Sequence, residues 1–296
     1  MKHALWMTLL LLGMFLLAQY LGLGIVYKYI DREQSAAAGE TVFKELPFGE
    51  RPPLQEETSF LPIALVILIG TALLLLLIRF KLFWLWKGWF FLAVVVALTM
   101  ALGAFLKPAL AAVIALLFGT WKVFRPNVFV HNFTELLIYG GLAVIFVPLF
   151  SLLSVSILLV LIALYDAYAV WKSKHMVTLA KSQARAHMFA GLLLPYQLKR
   201  SSVGKGRKTE KIKSAGVKVR TAILGGGDIG FPLIFAGVVM KELGVWQGFL
   251  IPFFAALGLA YLLWKSEDKK FYPAMPFIGA GCLVGLGIVL LIGMIQ

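Results

Sequence analysis

Nine stretches of this 296-residue chain are apolar over roughly the 20 residues that an α-helix needs to cross a bilayer. In lipid, a span must satisfy every backbone polar group internally, which favours helices. The chain is 61% hydrophobic with a mean hydropathy of +0.90, far above a soluble domain. It therefore predicts an all-α membrane protein, a polytopic bundle of about nine transmembrane helices. The predicted spans are 4–27, 60–79, 84–105, 107–122, 128–149, 151–171, 219–240, 245–264 and 273–294.

The charged loops predict the orientation of the chain. Seven of the fourteen acidic residues lie in 31–59, whereas twelve lysines and arginines lie in 172–218. Basic loops alternate with acidic or uncharged ones, so we expect a cytoplasmic N-terminus and an extracytoplasmic C-terminus, in the cell membrane. Contacts with the lipid bilayer explain the net charge of +14, and no nucleic-acid partner is expected. Glu135 and Tyr139 are interpreted as interface anchors.

The long basic loop divides the chain into parts. We predict an N-terminal six-helix part over 1–173, a cytoplasmic loop over 174–217 and a C-terminal three-helix part over 218–296. The apolar middle of the loop, 186–198, is too short to cross. We expect it to lie in the interface or to pack over the cytoplasmic end of the bundle. A signal sequence is the alternative for the first span, but its long apolar core favours an uncleaved anchor.

Asp166 and Asp228 are the only acidic residues well inside apolar spans. A carboxyl group there is costly, so each indicates a function. Asp166 lies five residues before Trp171, or roughly 8 Å deep, and Asp228 lies eight residues after Arg220, or roughly 12 Å deep. Because the two spans run in opposite directions, both carboxyl groups fall in the inner part of the membrane. Adjacent helices can then bring them face to face.

Two carboxyl groups held close in a low-dielectric site cannot both ionise easily, so they should share one proton. One can act as general base on a water molecule while the other donates a proton to a carbonyl oxygen. This is the chemistry of aspartic peptide hydrolysis, which needs no metal, cofactor or covalent intermediate. The four histidines are scattered at span ends and in loops, which argues against a metal site.

Glycines and prolines mark the surroundings of this site. Asp228 follows the triple glycine 225–227, which permits close backbone approach and weakens a helix. Pro273 and Pro276 begin the last span and remove two N–H donors from its first turn. Irregular backbone at membrane depth is tolerated where it lines a cavity or is buried in protein. We therefore expect both segments to border the aspartates.

Three motifs together resemble the presenilin and signal peptide peptidase family. Tyr165-Asp166, Gly225-Gly226-Gly227-Asp228 and Pro273-Ala274-Met275 are similar to its YD, GxGD and PAL motifs, with Met275 in place of leucine. Their order, and their places on spans six, seven and nine, also match. The resemblance covers the whole chain, most firmly 158–296, and the short outer loops resemble those of microbial homologues.

The resemblance implies a presenilin-like fold and an intramembrane aspartyl protease of the GxGD type, an aspartic endopeptidase. It implies Asp166 and Asp228 as the catalytic pair. The expected substrates are transmembrane-helix peptides of single-span membrane proteins. The residues expected to bind substrate or shape the site are Tyr165, Gly225, Gly226, Gly227, Pro273, Ala274 and Met275.

Two other functions are alternatives on the residues alone. A proton-coupled transporter or ion-leak channel also uses buried carboxyl groups beside a broken helix. The joint occurrence of the three motifs and the absence of an evident internal repeat favour the protease. A prepilin-type peptidase also carries a GxGD-like motif, but the third motif on the last span argues against it.

Overall fold

The computed structural model describes residues 5–173, 189–197, 219–266 and 272–295. Helices dominate, as the long apolar runs predict. The α-helices are α1 (Leu5–Tyr29), α2 (Arg32–Ala38), α3 (Phe60–Arg79), α4 (Phe83–Gly103), α5 (Pro108–Phe124), α6 (Val128–Phe146), α7 (Leu152–Tyr168), α8 (Gly226–Glu242), α9 (Val245–Lys265) and α10 (Met275–Ile295). The strands are β1 (Ile30–Asp31), β2 (Val42–Phe43), β3 (Gly191–Gln197) and β4 (Val219–Gly225).

The predicted polytopic helical bundle is confirmed. In the described ranges, seven helices are long and apolar enough to cross a membrane. Helices α5 and α8, with 17 residues each, are shorter and coincide with the fourth and seventh predicted spans. A short 3₁₀ turn, Val147–Leu149, which contains Pro148, separates α6 from α7.

The start of the seventh predicted span is not helical. Residues 219–225 form β4, which pairs antiparallel with β3 from Gly191↔Gly225 to Gln197↔Val219. An apolar run does not distinguish a strand from a helix, so the prediction of a helix from residue 219 is wrong. The segment 186–198 supplies β3, which packs against α6 and α8. Most of the predicted loop 174–217 lies outside the described residues.

Helix α8 lies at the centre of the bundle. It contacts α1, α6, α7, α9 and α10, and every residue of Pro232–Met240 is buried. Helix α3 is the opposite case, because Ile63 is its one buried residue and it packs beside α4 and α7. The bundle therefore holds the helix of Asp228 firmly and leaves α3 at the periphery.

The acidic segment 31–59 folds back onto the far end of α8. The Lys241 ammonium pairs with the Glu56 carboxylate and donates to the Phe150 carbonyl at 3.1 Å. The Thr41 hydroxyl donates to the Lys241 carbonyl at 2.7 Å. These contacts anchor the end of α8 opposite Asp228.

Candidate active site

Asp166 caps the last helix of the chain. It lies in the final turn of α7, is 4% exposed, and accepts a hydrogen bond from the Met275 backbone N–H at 3.1 Å. The Ala274 backbone N–H lies next to the same carboxylate. Both N–H groups are available because the first turn of a helix has no intrahelical acceptor for them. Pro273 helps to end the regular structure there, since a proline has no N–H and cannot enter a helix interior.

Asp228 lies in the first turn of α8 and is half-buried. Its carboxylate lies next to the backbone of Gly225. Gly225 itself has an extended backbone (φ −64°, ψ 147°) and forms the N-cap of α8. A carboxylate in this position also interacts favourably with the positive end of the helix dipole.

The structure brings the two aspartates together. Helix α7 packs against α8, and α10 packs against both. The carboxyl groups of Asp166 and Asp228 are close enough for the negative charge of one to act on the other. The end of α7, the start of α8 and the start of α10, which carry the three sequence motifs, thus lie together.

The triple glycine is crowded at two of its three positions. A Cβ atom on Gly225 would lie 3.0 Å from Asp228 Oδ2, and one on Gly226 would lie 3.1 Å from the Tyr139 hydroxyl. Both distances are tighter than ordinary contacts. Gly227 is exposed, and its nearest neighbour would lie 3.5 Å from an added Cβ. Close approach therefore requires glycine at 225 and 226 more than at 227.

The remaining predicted residues border Asp166. Tyr165 precedes it on α7 and is half-buried. Pro273 and Met275 are buried, and Ala274 is half-buried. The backbone of Ala274 and Met275, rather than their side chains, makes the polar contact.

Sequence reasoning missed a second polar cluster beside the aspartates. Glu135 and Tyr139 are 1% and 3% exposed, so their interpretation as interface anchors is wrong. The Tyr139 hydroxyl donates to Glu135 and lies against Gly226. Their i, i+4 spacing, with Asn132 three residues earlier, places all of them on one helix face and is the signal that could have identified them.

A buried amide also reaches the start of α8. Gln19 on α1 is fully buried and donates to the Ile229 carbonyl at 2.8 Å. Within the described residues, no group of three or more His, Cys, Asp and Glu side chains could hold a metal ion.

Solved structures share this architecture. "Structure of a presenilin family intramembrane aspartate protease in C222 space group" aligns with a TM-score of 0.61 and 20% identity over 96% of this chain and 99% of that chain. The same kind of protease in the P2 space group aligns with a TM-score of 0.60 and 20% identity, over 97% of both chains. No curated protein matches the sequence.

The apolar helices of the bundle define a multi-pass integral membrane protein. Residues 44–295 match the family described as signal-peptide peptidase, presenilin aspartyl protease, and the chain belongs to that family. The family predicted from the three motifs is thereby confirmed.

Proposed function

We propose that Asp166 and Asp228 are the catalytic pair of this protease and that it hydrolyses peptide bonds within the transmembrane segments of single-span proteins. The observation that carries this proposal is the meeting of the two carboxyl groups at the ends of three segments. Asp166 is held by the backbone of Ala274 and Met275, and Asp228 by Gly225. Neither carboxyl group has a Lys or Arg partner among the described ion pairs.

The reaction needs only water and one proton shared by the dyad. The ionised carboxyl group takes a proton from water, whose oxygen attacks the peptide carbonyl carbon. The protonated carboxyl group donates its proton to the carbonyl oxygen, which gives a tetrahedral intermediate. Collapse of the intermediate breaks the C–N bond: the leaving nitrogen takes the proton of one carboxyl group, and a hydroxyl group of the intermediate gives its proton to the other carboxylate as the C=O bond re-forms. The products are a carboxyl group and an amine, and the dyad again holds one proton.

Substrate access is proposed to be lateral, from the lipid. Helix α3 has one buried residue, Ile63, and packs beside α7, which carries Asp166. A helix with so few buried contacts can shift at low cost. The side of the bundle at α3 is therefore the proposed point of access.

A substrate helix must unwind before it can react, because its peptide carbonyls are hydrogen-bonded along the helix. Strand β4 ends at Gly225, three residues before Asp228. In the described sheet β4 pairs only with β3, which leaves its second edge available to an extended segment. This edge supports a bound substrate that is extended next to the dyad.

The orientation proposed for the protein follows from its loop charges. A cytoplasmic N-terminus and a cell-membrane location place the dyad in the cytoplasmic half of the bilayer. Substrates are then single-span proteins with an outer N-terminus, cut toward the cytoplasmic end of the span. In this topology, residues 1–173 form an N-terminal six-helix part, 174–217 a cytoplasmic loop and 218–296 a C-terminal three-helix part.

The experiment is cleavage of a labelled single-span peptide by the purified protein in detergent. Two fragments are expected, and mass spectrometry of each identifies the bond that is cut. In H₂¹⁸O the N-terminal fragment should carry ¹⁸O in its new carboxyl group, since water supplies that oxygen. An intact peptide, or fragments cut in the outer half of the span, would contradict the proposal.

A further inference from the structure

Two buried opposite charges lie beside the candidate site. The Lys122 ammonium on α5 contacts Glu135 Oε1 on α6 at 2.6 Å, and their side chains are 1% and 2% exposed. Lys122 also donates to the Thr134 hydroxyl at 3.1 Å. Burying such a pair costs desolvation that its attraction hardly recovers, so stability alone does not explain it.

The second carboxylate oxygen of Glu135 faces the catalytic side of α6. Glu135 Oε2 accepts a hydrogen bond from the Gly191 backbone N–H at 3.1 Å and another from the Tyr139 hydroxyl. Tyr139 packs against Gly226, which lies two residues before Asp228. Glu135 therefore joins β3 to the residues next to Asp228.

Other side chains of α6 bind the same edge of β3. Asn132 Nδ2 donates to the Leu193 carbonyl at 2.8 Å, and Asn132 Oδ1 accepts from the Leu193 N–H at 2.9 Å. His131 Nε2 lies 2.7 Å from the Gly191 carbonyl, which can only accept, so this nitrogen carries the proton. These side chains take the place of a neighbouring strand, and α6 holds β3 in one register.

The position of β3 is transmitted directly to α8. The Gly226 N–H, at the first residue of α8, donates to the Ala190 carbonyl at 3.0 Å. Gly191 has a φ of +145°, and a side chain at this position would clash with Leu224 and Phe189. The backbone at the start of β3 is therefore closely packed and has little room to move. A shift of β3 would therefore displace the first turn of α8, where Asp228 lies.

We propose that Glu135 is a positioning residue for Asp228. Lys122 pairs with Glu135 Oε1, and Glu135 Oε2 fixes both the β3 corner and Tyr139 against Gly226. Glu135 does not touch the reacting atoms. The inference rests on the proposed function, because its readout is the rate of peptide cleavage.

The decisive comparison uses two double variants that both remove the buried charges. Lys122→Met/Glu135→Gln keeps one carbonyl oxygen that can accept from both the Gly191 N–H and the Tyr139 hydroxyl, whereas Lys122→Met/Glu135→Leu has no acceptor. Even a small displacement of a catalytic group lowers kcat strongly. The Leu variant should therefore lose about tenfold or more in kcat, with little change in KM. The Gln variant should retain most of kcat. Amide exchange at Gly191 should be faster in the Leu variant alone.

A single variant covers the case in which the Leu variant does not fold. Glu135→Asp keeps the charge beside Lys122 but is one methylene shorter, so it cannot hold Gly191 and Tyr139 at once. It should also lose kcat while unfolding at a similar temperature. Wild-type kcat in the folded Leu or Asp variant would overturn the role of Glu135. Absence of cleavage by the wild type would instead overturn the proposed function, and the positioning role with it.

Discussion

The carboxylate of Asp166 and the backbone N–H of Met275 meet at 3.1 Å, across 109 positions of the chain. This hydrogen bond ties the end of α7 to the start of α10. It is made possible by a helix that starts just after Pro273, so the PAL-like segment acts through its backbone. Because the contact comes from the backbone N–H, it does not depend on whether residue 275 is methionine or leucine.

Replacing Pro273 with alanine should lower activity. Alanine allows the preceding residues to join α10, whose new turn would accept the N–H groups that Asp166 now uses. We expect kcat for peptide cleavage to fall about tenfold, with an unfolding temperature close to that of the wild type. Pro276→Ala is the matched control, because Pro276 lies inside the first turn, where a missing N–H has no effect on the ladder. Equal losses in the two variants would argue against a role for the helix start.

The crowding around the triple glycine predicts different effects at adjacent positions. Gly226→Ala puts a Cβ atom 3.1 Å from the Tyr139 hydroxyl and 3.3 Å from the Ala190 carbonyl, so it should destabilise the β3 corner. Gly227→Ala meets only an ordinary contact at 3.5 Å, and alanine also reduces the conformational entropy of the unfolded chain. Thermal unfolding in detergent should therefore rank Gly227→Ala above Gly226→Ala. The reverse order would contradict the packing described at Gly226.

The candidate site should be reached by water from one side of the membrane. The native thiol, Cys282, is fully buried and gives a silent background. Single cysteines at Ile223 and Ala274 should react with a small charged reagent applied from the cytoplasmic side, since hydrolysis needs water at the dyad. Trp246→Cys, exposed at the start of α9, is the control expected to react from outside. Reaction of Ile223→Cys only from outside would reverse the proposed topology.

Substrates that unwind more easily should be cut faster. Gly pairs at the scissile bond weaken a helix by about 1 kcal/mol per residue relative to Ala, and Leu pairs do not. A matched series of single-span peptides, with Gly or Leu pairs at the cut site, should give higher kcat/KM for Gly. Equal rates across the series would mean that unwinding does not limit cleavage.

The sequence singled out Asp166 and Asp228 as a candidate site because a carboxyl group in an apolar span is costly and usually indicates a function. Strand β4 could not be predicted in the same way, since residues 219–225 continue the apolar run that becomes α8. The partner strand β3 is distant in sequence, and hydropathy carries no information on their pairing. The burial of Lys122 and Glu135 could not be predicted either. Each lies near the end of a predicted span, where charged residues are usually exposed, and only the fold shows that they are buried.

The central claim is that Asp166 and Asp228 divide the acid and base roles between them. The most direct measurement is cleavage of the same labelled peptide by Asp166→Asn and by Asp228→Asn, each checked for an unchanged fold. An amide can neither take a proton from water nor share the proton of the dyad, so each variant should lose cleavage completely. A folded single variant that cleaves at close to the wild-type rate would contradict the two-aspartate mechanism.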